Sequence, residues 1–304
     1  MSIAYLHNTD CLLHDMGAGH PERPARINAI EDQLRASQLI DSMHYYGVPN
    51  ATRKQLERVH DTKYIDKIII FDGSYTYLDP DTMLTKQTPQ AALRAAGAVV
   101  HATDLVLTNK HKVAFCNIRP PGHHALPDRA MGFCFFNNVA VGAAHALAEY
   151  GLSRVAIVDF DVHHGNGTEA IFTDEPRVML CSTFQHPFYP HSGADTVSDH
   201  IINMPLAAGS GGAEFREAIT KHCLPALHKF APQMIFISAG FDAHADDNIS
   251  YLNLHENDYA WVTTEISVIA DKYAEGRIVS TLEGGYELSA LGQSVVAHIK
   301  AFIL

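Results

Sequence analysis

The chain has few charged residues for its length and no surplus of positive charge. Of its 304 residues, 18% are charged, and 22 Lys and Arg are outnumbered by 34 Asp and Glu, which gives a net charge of −12. Because phosphate contacts need clustered Lys and Arg, this balance argues against a nucleic-acid partner, and no basic run that would target a nucleus is present. No apolar run reaches about 18 residues, so no membrane span is predicted.

Cysteine is scarce as well, and the five that are present form no C-x-x-C pair. An odd number without that spacing favours reduced thiols and a cytoplasmic-type protein. Residues 1–5 lack the basic stretch and the long apolar core of a signal peptide. No repeat, low-complexity stretch or flexible linker interrupts the sequence. We therefore expect a single domain, residues 1–304, in the cytoplasm.

Apolar strand-like runs alternate along the chain with segments of helical periodicity. The predicted strands are residues 3–6, 45–48, 112–117, 155–160, 178–183, 201–206, 234–239 and 278–282. The clearest predicted helices are residues 24–36, 89–107, 137–150, 213–229, 256–274 and 287–303. This alternation predicts an α/β fold with a mostly parallel sheet and helices on both faces.

The most informative segment follows the apolar run 155–158 and has the sequence D-F-D-V-H-H-G-N-G over residues 159–167. A strand sends alternate side chains to one face, so Asp159, Asp161 and His163 start out pointing the same way. Carboxylates and imidazoles at the carboxyl end of a strand suit a divalent metal such as zinc. A lone Asp or His at this place is usually a cap or turn residue. Three such residues in one register, with His164 beside them, favour a metal site.

A tandem His pair follows the predicted strand 112–117, in the sequence R-P-P-G-H-H-A at residues 119–125. His123 and His124 lie in a Pro-Gly turn from which both side chains could reach one cavity. One imidazole could then move a proton while the other positions water. The alternative, which the segment in isolation slightly favours, is a polar loop with two solvated imidazoles.

Two further motifs follow later strands. In S-A-G-F-D-A-H-A-D-D, residues 238–247, Asp242 stands where a third metal ligand is needed, and the remaining polar residues are interpreted as turn caps that face solvent: His244, Asp246 and Asp247. The same stretch also matches the D-x-H-x-D pattern of binuclear manganese ureohydrolases. In L-E-G-G-Y, residues 282–286, two glycines bring the Tyr286 hydroxyl over the sheet edge; the alternative is a packed aromatic that opens the last helix.

Together the four segments supply what amide hydrolysis needs. A catalytic zinc takes three protein ligands and leaves a position open for water, and the three candidates are Asp161, His163 and Asp242. Zinc lowers the pKa of its water towards about 7, and His123 or His124 can take the proton. Tyr286 can donate a hydrogen bond to the carbonyl oxygen as it becomes an oxyanion. The binuclear manganese alternative is disfavoured, because no second paired-Asp segment occurs near residues 283–286.

The ordered set of motifs resembles the zinc-dependent histone deacetylase family, and within it the class II-like bacterial amidohydrolase type. The match begins with G-H-P-E-R-P-A-R-I at residues 19–27 and continues through R-P-P-G-H-H-A, G-F-C-F-F-N-N, D-F-D-V-H-H-G-N-G-T and S-A-G-F-D-A-H to L-E-G-G-Y. The resemblance implies the arginase–deacetylase fold, a three-layer α/β/α sandwich with an eight-stranded, mostly parallel sheet. It also implies hydrolysis of a linear amide.

The resemblance implies a role for each matching position. It makes three residues the zinc ligands, namely Asp161, His163 and Asp242. His123 and His124 become the tandem pair, with His124 as the general acid–base, and Tyr286 becomes the transition-state donor. Asp159 is expected to hydrogen-bond His123. Asn166 takes the place of the Asp that class I enzymes pair with the second His, which indicates the class II-like type and a less basic His124.

The family also binds potassium near the zinc, so one or two structural K⁺ ions are expected. The oxygens of the first site are implied at Asp159, Asp161, His163, Ser182 and Thr183. A second, more distant site is expected around Phe172, Glu175 and Val178. The sequence leaves open whether zinc or iron is the metal in the cell.

An acyl-lysine tunnel is the next implied feature. Phe133, preceded by Gly132, matches one wall of the tunnel, and Tyr189 is expected to replace the second aromatic; the alternative for both rings is core packing. Ile249, seven residues after Asp242, stands where acetylpolyamine specialists carry an acidic gatekeeper. An aliphatic residue there favours an acyl-lysine or a longer acyl chain.

Two other functions stay open at this point. The first is deacetylation of acetylpolyamines, because Asp79, Asp81 and Glu22 lie in expected rim loops and the net negative charge suits cationic substrates. The second is a catalytically silent homologue that only binds acylated ligands, which is disfavoured because no member of the zinc set is missing. The sequence does not decide the physiological target protein or the oligomeric state.

Overall fold

A computed structural model describes residues 3–303 and contains an eight-stranded sheet in which every neighbouring pair of strands is parallel. The strands within these residues are β1 (Ile3–Leu6), β2 (Met43–Tyr46), β3 (Tyr75–Asp79), β4 (Thr82–Thr85), β5 (Val113–Cys116), β6 (Val155–Asp159), β7 (Val178–Gln185), β8 (Ile201–Leu206), β9 (Met234–Ala239) and β10 (Ile278–Leu282). The large sheet has the order β2-β1-β5-β10-β9-β6-β7-β8. The parallel α/β fold predicted from the sequence is confirmed.

Helices cover both faces of this sheet. They are α1 (Ala25–Ala36), α2 (Arg53–Leu56), α3 (Thr62–Ile69), α4 (Thr88–Leu107), α5 (Asn138–Tyr150), α6 (Asn166–Phe172), α7 (Gly212–Ala218), α8 (Leu224–Phe230), α9 (Glu256–Tyr273) and α10 (Leu288–Ile303). Strand residues of alternate register enter two separate apolar cores, one packed with α3, α4 and α5 and the other with α1, α9 and α10. The two cores make the three layers of the expected sandwich.

Local sequence accounts for several helix ends. Asn137 caps α5 by accepting a hydrogen bond from the Ala140 amide at 3.1 Å. Gly151 ends the same helix in the left-handed conformation, with φ at 66°, which glycine adopts without strain. Pro89 lies in the first turn of α4, where its missing N–H costs nothing.

The structure corrects three sequence-based boundaries. The second strand is Met43–Tyr46 rather than residues 45–48, because the buried Met43 pairs with Ile3. The predicted helix 213–229 is interrupted by a π-helical turn over Ile219–Cys223. Residues 75–85, for which the sequence predicted no strand, form an antiparallel hairpin, β3–β4, whose first strand is largely exposed and therefore shows no apolar alternation.

Two other sequence-based expectations concern cysteine and the membrane. All five cysteines are buried and free, as a reduced protein requires. Within residues 3–303, no helix has the length and apolar character to cross a bilayer.

Candidate active site

Four neighbouring strands bring the four sequence motifs together. The order β5-β10-β9-β6 is continuous in the middle of the sheet, and all four strands run the same way. The tandem His pair follows β5, the L-E-G-G-Y motif begins in β10, Asp242 follows β9, and Asp159 ends β6. Since parallel strands end at the same edge, segments far apart in sequence converge on one site.

Asp161, His163 and Asp242 form a compact buried group. One ligand atom from each lies within 4.8 Å of the others. His163 Nδ1 is 3.0 Å from Asp161 Oδ1 and 3.2 Å from Asp242 Oδ2. Ligands about 2.0–2.1 Å from a tetrahedral zinc lie about 3.3 Å apart, so these spacings suit the metal. Asp242 Oδ2 is buried and accepts no well-aligned hydrogen bond from the rest of the described chain.

Two glycines allow the carboxylates to approach the backbone this closely. The Gly284 amide donates to Asp161 Oδ2 at 2.9 Å. A Cβ atom on Gly284 would clash with both Asp161 and Asp242, and one on Gly240 would clash with Asp161. The glycines after β9 and β10 thus leave space for the carboxylate pair.

The electrostatics of this group call for a cation. Burial would raise the pKa of Asp161, but His123 and His163 hold it well below its usual range. Burial and then the Asp161 charge raise the pKa of Asp242 to about 6. Burial opposes the charge on His163, yet both carboxylates outweigh it and raise the pKa to about 9. Two carboxylates side by side in a buried site are stabilised by a positive charge, which a divalent metal supplies.

The tandem His residues lie in different electrostatic environments. His123 Nδ1 is 2.9 Å from Asp159 Oδ2, and His124 Nδ1 is 2.7 Å from Asn166 Oδ1. Burial opposes the charge on His123, but Asp159 outweighs it and raises the pKa to about 10. Burial and the charge of His123 lower the pKa of His124 well below its usual value. His123 therefore carries the proton while His124 stays neutral, and the expected pairs with Asp159 and Asn166 are both present.

Glu283 has an unforeseen part in holding the tandem pair. Its buried carboxylate accepts hydrogen bonds from the backbone amides of Gly122 at 2.7 Å and His123 at 3.1 Å. Burial is the main reason that its pKa rises to about 7. A charged residue that directly follows the apolar strand β10 was the available signal in the sequence.

Tyr286 is positioned through its backbone and its ring. Its amide donates to Asp247 Oδ2 at 2.6 Å, and the Arg26 guanidinium lies 4.8 Å from the ring centroid. Burial raises the pKa of the phenol well above its usual value, so the hydroxyl keeps its proton. His244 and Asp247 do not face solvent as the sequence suggested, because both are buried, and of the three residues only Asp246 is exposed. Both still cap the turn, since His244 Nδ1 accepts from the Asp246 amide and Asp247 Oδ1 from the Ile249 amide.

A cavity of about 230 Å³ opens in front of these groups. Its lining residues are Asp81, His124, Gly132, Phe133, His163, Phe188, Tyr189, Ile249 and Tyr286. The sequence missed Phe188, whose ring stacks on His163 with 5.4 Å between centroids. The neighbouring Tyr189 ring lies edge-on to the His124 ring, with 5.3 Å between the two centroids. The cavity thus has aromatic walls that include both expected rings.

The unforeseen β3–β4 hairpin supports one wall of this cavity. Phe133 adopts the left-handed backbone region with φ at 68°, which is strained for a bulky residue. The Phe133 amide donates to Thr82 Oγ1 at 2.9 Å, and the Gly132 amide to Asp79 Oδ2 at 3.4 Å. A Cβ atom on Gly132 would clash with the His124 ring. Hairpin and glycine together hold the Phe133 ring in the cavity wall.

Other candidate residues lie elsewhere. His164 turns away from the metal group, with Nδ1 3.0 Å from Ser192 Oγ and Nε2 2.7 Å from Glu169 Oε2. Glu22 is not a rim residue, because it is fully buried and paired with Arg119 and Arg26. That cluster could be anticipated only from the tertiary structure.

The expected potassium residues fall in two places. The first set is buried near the metal group and comprises Asp159, Asp161, His163, Ser182 and Thr183. In the second set, Phe172 ends α6, Glu175 follows it and Val178 begins β7. Ser182 Oγ is buried and has no hydrogen-bond partner among residues 3–303. At the second place, the Phe172 carbonyl is 3.0 Å from His200 Nε2 and the Glu175 carboxylate pairs with Arg177.

Comparison with known proteins agrees with this site. Residues 20–302 match the family model for the histone deacetylase domain. The chain is 36% identical to the histone deacetylase-like amidohydrolase of Pseudomonas aeruginosa, over 88% of this chain and 73% of that protein. It is 34% identical to the polyamine deacetylase HDAC10 of Mus musculus, over 100% of this chain and 48% of that longer protein.

A solved structure agrees as well. The crystal structure of the HDA15 HD domain superposes with a TM-score of 0.95 at 32% identity, covering 100% of this chain and 90% of that one. The likeness extends over the sheet, both helical layers and the motif-bearing edge, consistent with the arginase–deacetylase fold. The chain therefore belongs to the histone deacetylase family.

Proposed function

We propose that the protein is a zinc-dependent amidohydrolase that removes acetyl or longer acyl groups from N-ε-acyl-lysine. The observation that carries this proposal is the placement of five groups around one cavity edge: Asp161, His163 and Asp242 as a metal-sized group, with His124 and Tyr286 beside them. A binding module or a structural protein has no need of such a set.

Asp161, His163 and Asp242 are the residues proposed to hold the zinc. Two observations support this assignment: the spacing of the three residues, and the Asp242 Oδ2 atom, which accepts no well-aligned hydrogen bond from residues 3–303. A bound zinc would lower the pKa of a water molecule and polarise the amide carbonyl.

The chain's own residues would move the proton and stabilise charge. His124, held neutral and oriented by Asn166, is suited to take a proton from water and return it to the leaving amine. His123, charged through Asp159, favours developing negative charge nearby. The protonated Tyr286 hydroxyl would donate to the carbonyl oxygen as it becomes an oxyanion.

A potassium ion is proposed beside this centre, held by oxygens of Asp159, Asp161, His163, Ser182 and Thr183. The buried, unpartnered Ser182 hydroxyl supports it, since a buried oxygen without a partner is costly. The second site, around Phe172, Glu175 and Val178, stays a prediction, as do the cytoplasmic location and the single domain.

The rim of the cavity bears on the substrate. Ile249 lines the wall and offers no charge, which suits the apolar stem of an acyl-lysine. Asp81 lines the same cavity, and burial together with the Asp79 charge raises its pKa. A carboxylate at that place would attract the cationic end of an acetylpolyamine, which is the second candidate substrate.

A substrate panel with and without a strong chelator tests the proposal. It contains acetyl-, longer acyl- and trifluoroacetyl-lysine peptides, acetylputrescine and acetylspermidine. We expect the protein to release acyl groups from the lysine peptides, and we expect the chelator to abolish this release. Release from polyamines alone would transfer the assignment to the second candidate, and silence on the whole panel would indicate a homologue that only binds acylated ligands.

The oxyanion role has its own test. Tyr286→Phe should lose about 10²–10³-fold in kcat while its zinc content is unchanged, as is typical when one oxyanion donor is removed. Tyr75→Phe, on the exposed hairpin strand, removes a hydroxyl far from the chemistry and serves as the control. Near-full activity of Tyr286→Phe would show that the phenol is not the donor.

A further inference from the structure

A second group of metal-competent side chains lies outside the active site. His244, His255 and Glu256 place one ligand atom each within 4.8 Å of one another and share no residue with the active-site group. His244 belongs to the D-A-H-A-D stretch, in which Asp242 turns to the active site and His244 turns to this group. His255 and Glu256 lie at the beginning of α9.

The His244 ring indicates that the group is built for a ligand. The residue is 2% exposed, and its Nε2 atom is buried without a hydrogen-bond partner among residues 3–303. That atom is 3.6 Å from Glu256 Oε1, close to the about 3.3 Å that separates two ligands on a tetrahedral zinc. The His244 and His255 rings pack edge to face, with 5.5 Å between their centroids. A buried imidazole nitrogen without a partner is costly, and a cation would resolve that cost.

The backbone already fixes the two segments that carry these side chains. The Ala245 amide donates to the Leu254 carbonyl at 2.9 Å, and the Leu254 amide donates to the Ala243 carbonyl at 3.0 Å. The ligands therefore come from two tied strands of chain rather than from one mobile loop. His255 is exposed and the Glu256 side chain is 35% exposed, so both can make the small rotation that closes the coordination.

We propose that His244 Nε2, His255 and Glu256 bind a second divalent transition-metal ion of the zinc class. Two imidazoles and a carboxylate are ligands that such ions prefer. His244 Nδ1 is 3.1 Å from the Asp246 amide and 3.9 Å from the exposed Asp246 carboxylate. The amide donates to Nδ1, which places the ring proton on Nε2. Metal binding at Nε2 moves this proton to Nδ1, where the Asp246 carboxylate replaces the amide as hydrogen-bond partner and orients the ring. The ion joins the segment after β9 to the beginning of α9.

Metal counting on untagged protein tests this site. The chain is stripped with a chelator and titrated with Zn²⁺ against a weak competing chelator, and bound zinc per chain is measured after gel filtration. Wild type should hold two ions. His255→Ala and Glu256→Gln should each hold one, or bind the second at least tenfold more weakly. His222→Ala, an exposed His on the π-helical turn, should still hold two.

The result separates this site from the active site. His163→Ala should lose the active-site ion and keep the second, whatever its effect on acyl-lysine hydrolysis. In the wild-type protein, one ion per chain would overturn the proposal, and so would a His255→Ala variant with the wild-type number and affinity of ions. His255 and Glu256 reach the surface, so their variants should fold like the wild-type protein. Circular dichroism and thermal unfolding check this.

Discussion

Substitution of Asp247 tests how the backbone of Tyr286 is held in place. Its buried carboxylate oxygen accepts hydrogen bonds from two backbone amides, Tyr286 at 2.6 Å and Glu287 at 3.1 Å. The Asp247 amide in turn donates to the His244 carbonyl at 2.9 Å. Asp247 thus joins the segment after β9 to the turn that carries Tyr286. Asp247 itself does not line the substrate cavity.

The expected cost follows from these two bonds. A hydrogen bond to a charged group contributes about 1.5–3 kcal/mol, whereas one between neutral groups contributes about 0.5–1.5 kcal/mol. Asp247→Asn keeps an acceptor but loses the charge, so about 2–3 kcal/mol of unfolding free energy should disappear. Asp247→Ala leaves both amides unpaired, together with the Ile249 amide that donates to Asp247 Oδ1 at 3.2 Å, and should cost about 3–5 kcal/mol. Both changes loosen Tyr286, so kcat should fall at least tenfold with little change in KM.

Urea unfolding, steady-state kinetics and metal content are measured on the same preparations. Asp41→Ala is the control, because Asp41 is exposed and belongs to neither metal group. If Asp247→Ala unfolds at the same urea concentration as Asp41→Ala and keeps its kcat, the carboxylate does not hold the turn. Loss of zinc in the Asp247 variants would also contradict a role confined to Tyr286.

Two further predictions concern buried groups near the centre. Gly284→Ala should reduce zinc affinity at least a hundredfold, because its methyl group would clash with Asp161 and Asp242. Glu22→Gln should cost about 3 kcal/mol of unfolding free energy at pH 7, because Arg119 and its neighbours outweigh burial and lower the Glu22 pKa from 4.5 to about 2. A lowered folded-state pKa stabilises the fold above pH 4.5, so the gap between wild type and variant should narrow by about 2 kcal/mol at pH 3.

Both predictions have direct controls. Gly47→Ala introduces a methyl group where nothing lies within 4 Å, and its zinc affinity should equal that of wild type. For Glu22→Gln, urea unfolding is measured from pH 7 to pH 3. A gap that stays constant across this range would show that the buried carboxylate is not ionised through its arginine partners.

The fold was largely predictable because its signals are local. Strands β5, β6, β9 and β10 are continuous apolar runs, since both of their faces are buried by helices. The hairpin β3–β4 carried no such signal, because the side chains of Tyr75 to Tyr77 are exposed. Its contribution, the Thr82 hydroxyl that accepts a hydrogen bond from the amide of the strained Phe133, depends on a contact between distant segments.

The candidate site was partly predictable for a related reason. Metal-competent residue types at the ends of predicted strands can be recognised in the sequence. The convergence of Asp161, His163 and Asp242 was therefore correctly expected. Glu283 gave little signal, because its role is to accept backbone amides that the sequence does not distinguish. Phe188 was passed over in favour of its neighbour Tyr189, since which of two adjacent rings faces His163 depends on the loop conformation.

The sequence by itself determined the alternation of strands and helices, the parallel sheet and the chemical identity of the groups at its edge, because these depend on residue type and short-range periodicity. Only the tertiary structure decided which carboxylates lie side by side, which imidazole is disfavoured in its charged form and which acids are buried among arginines. Those properties arise from burial and from charges a few ångströms apart on segments distant in sequence, as with Asp247 and Tyr286. The spacing of residues along the chain does not reveal these properties.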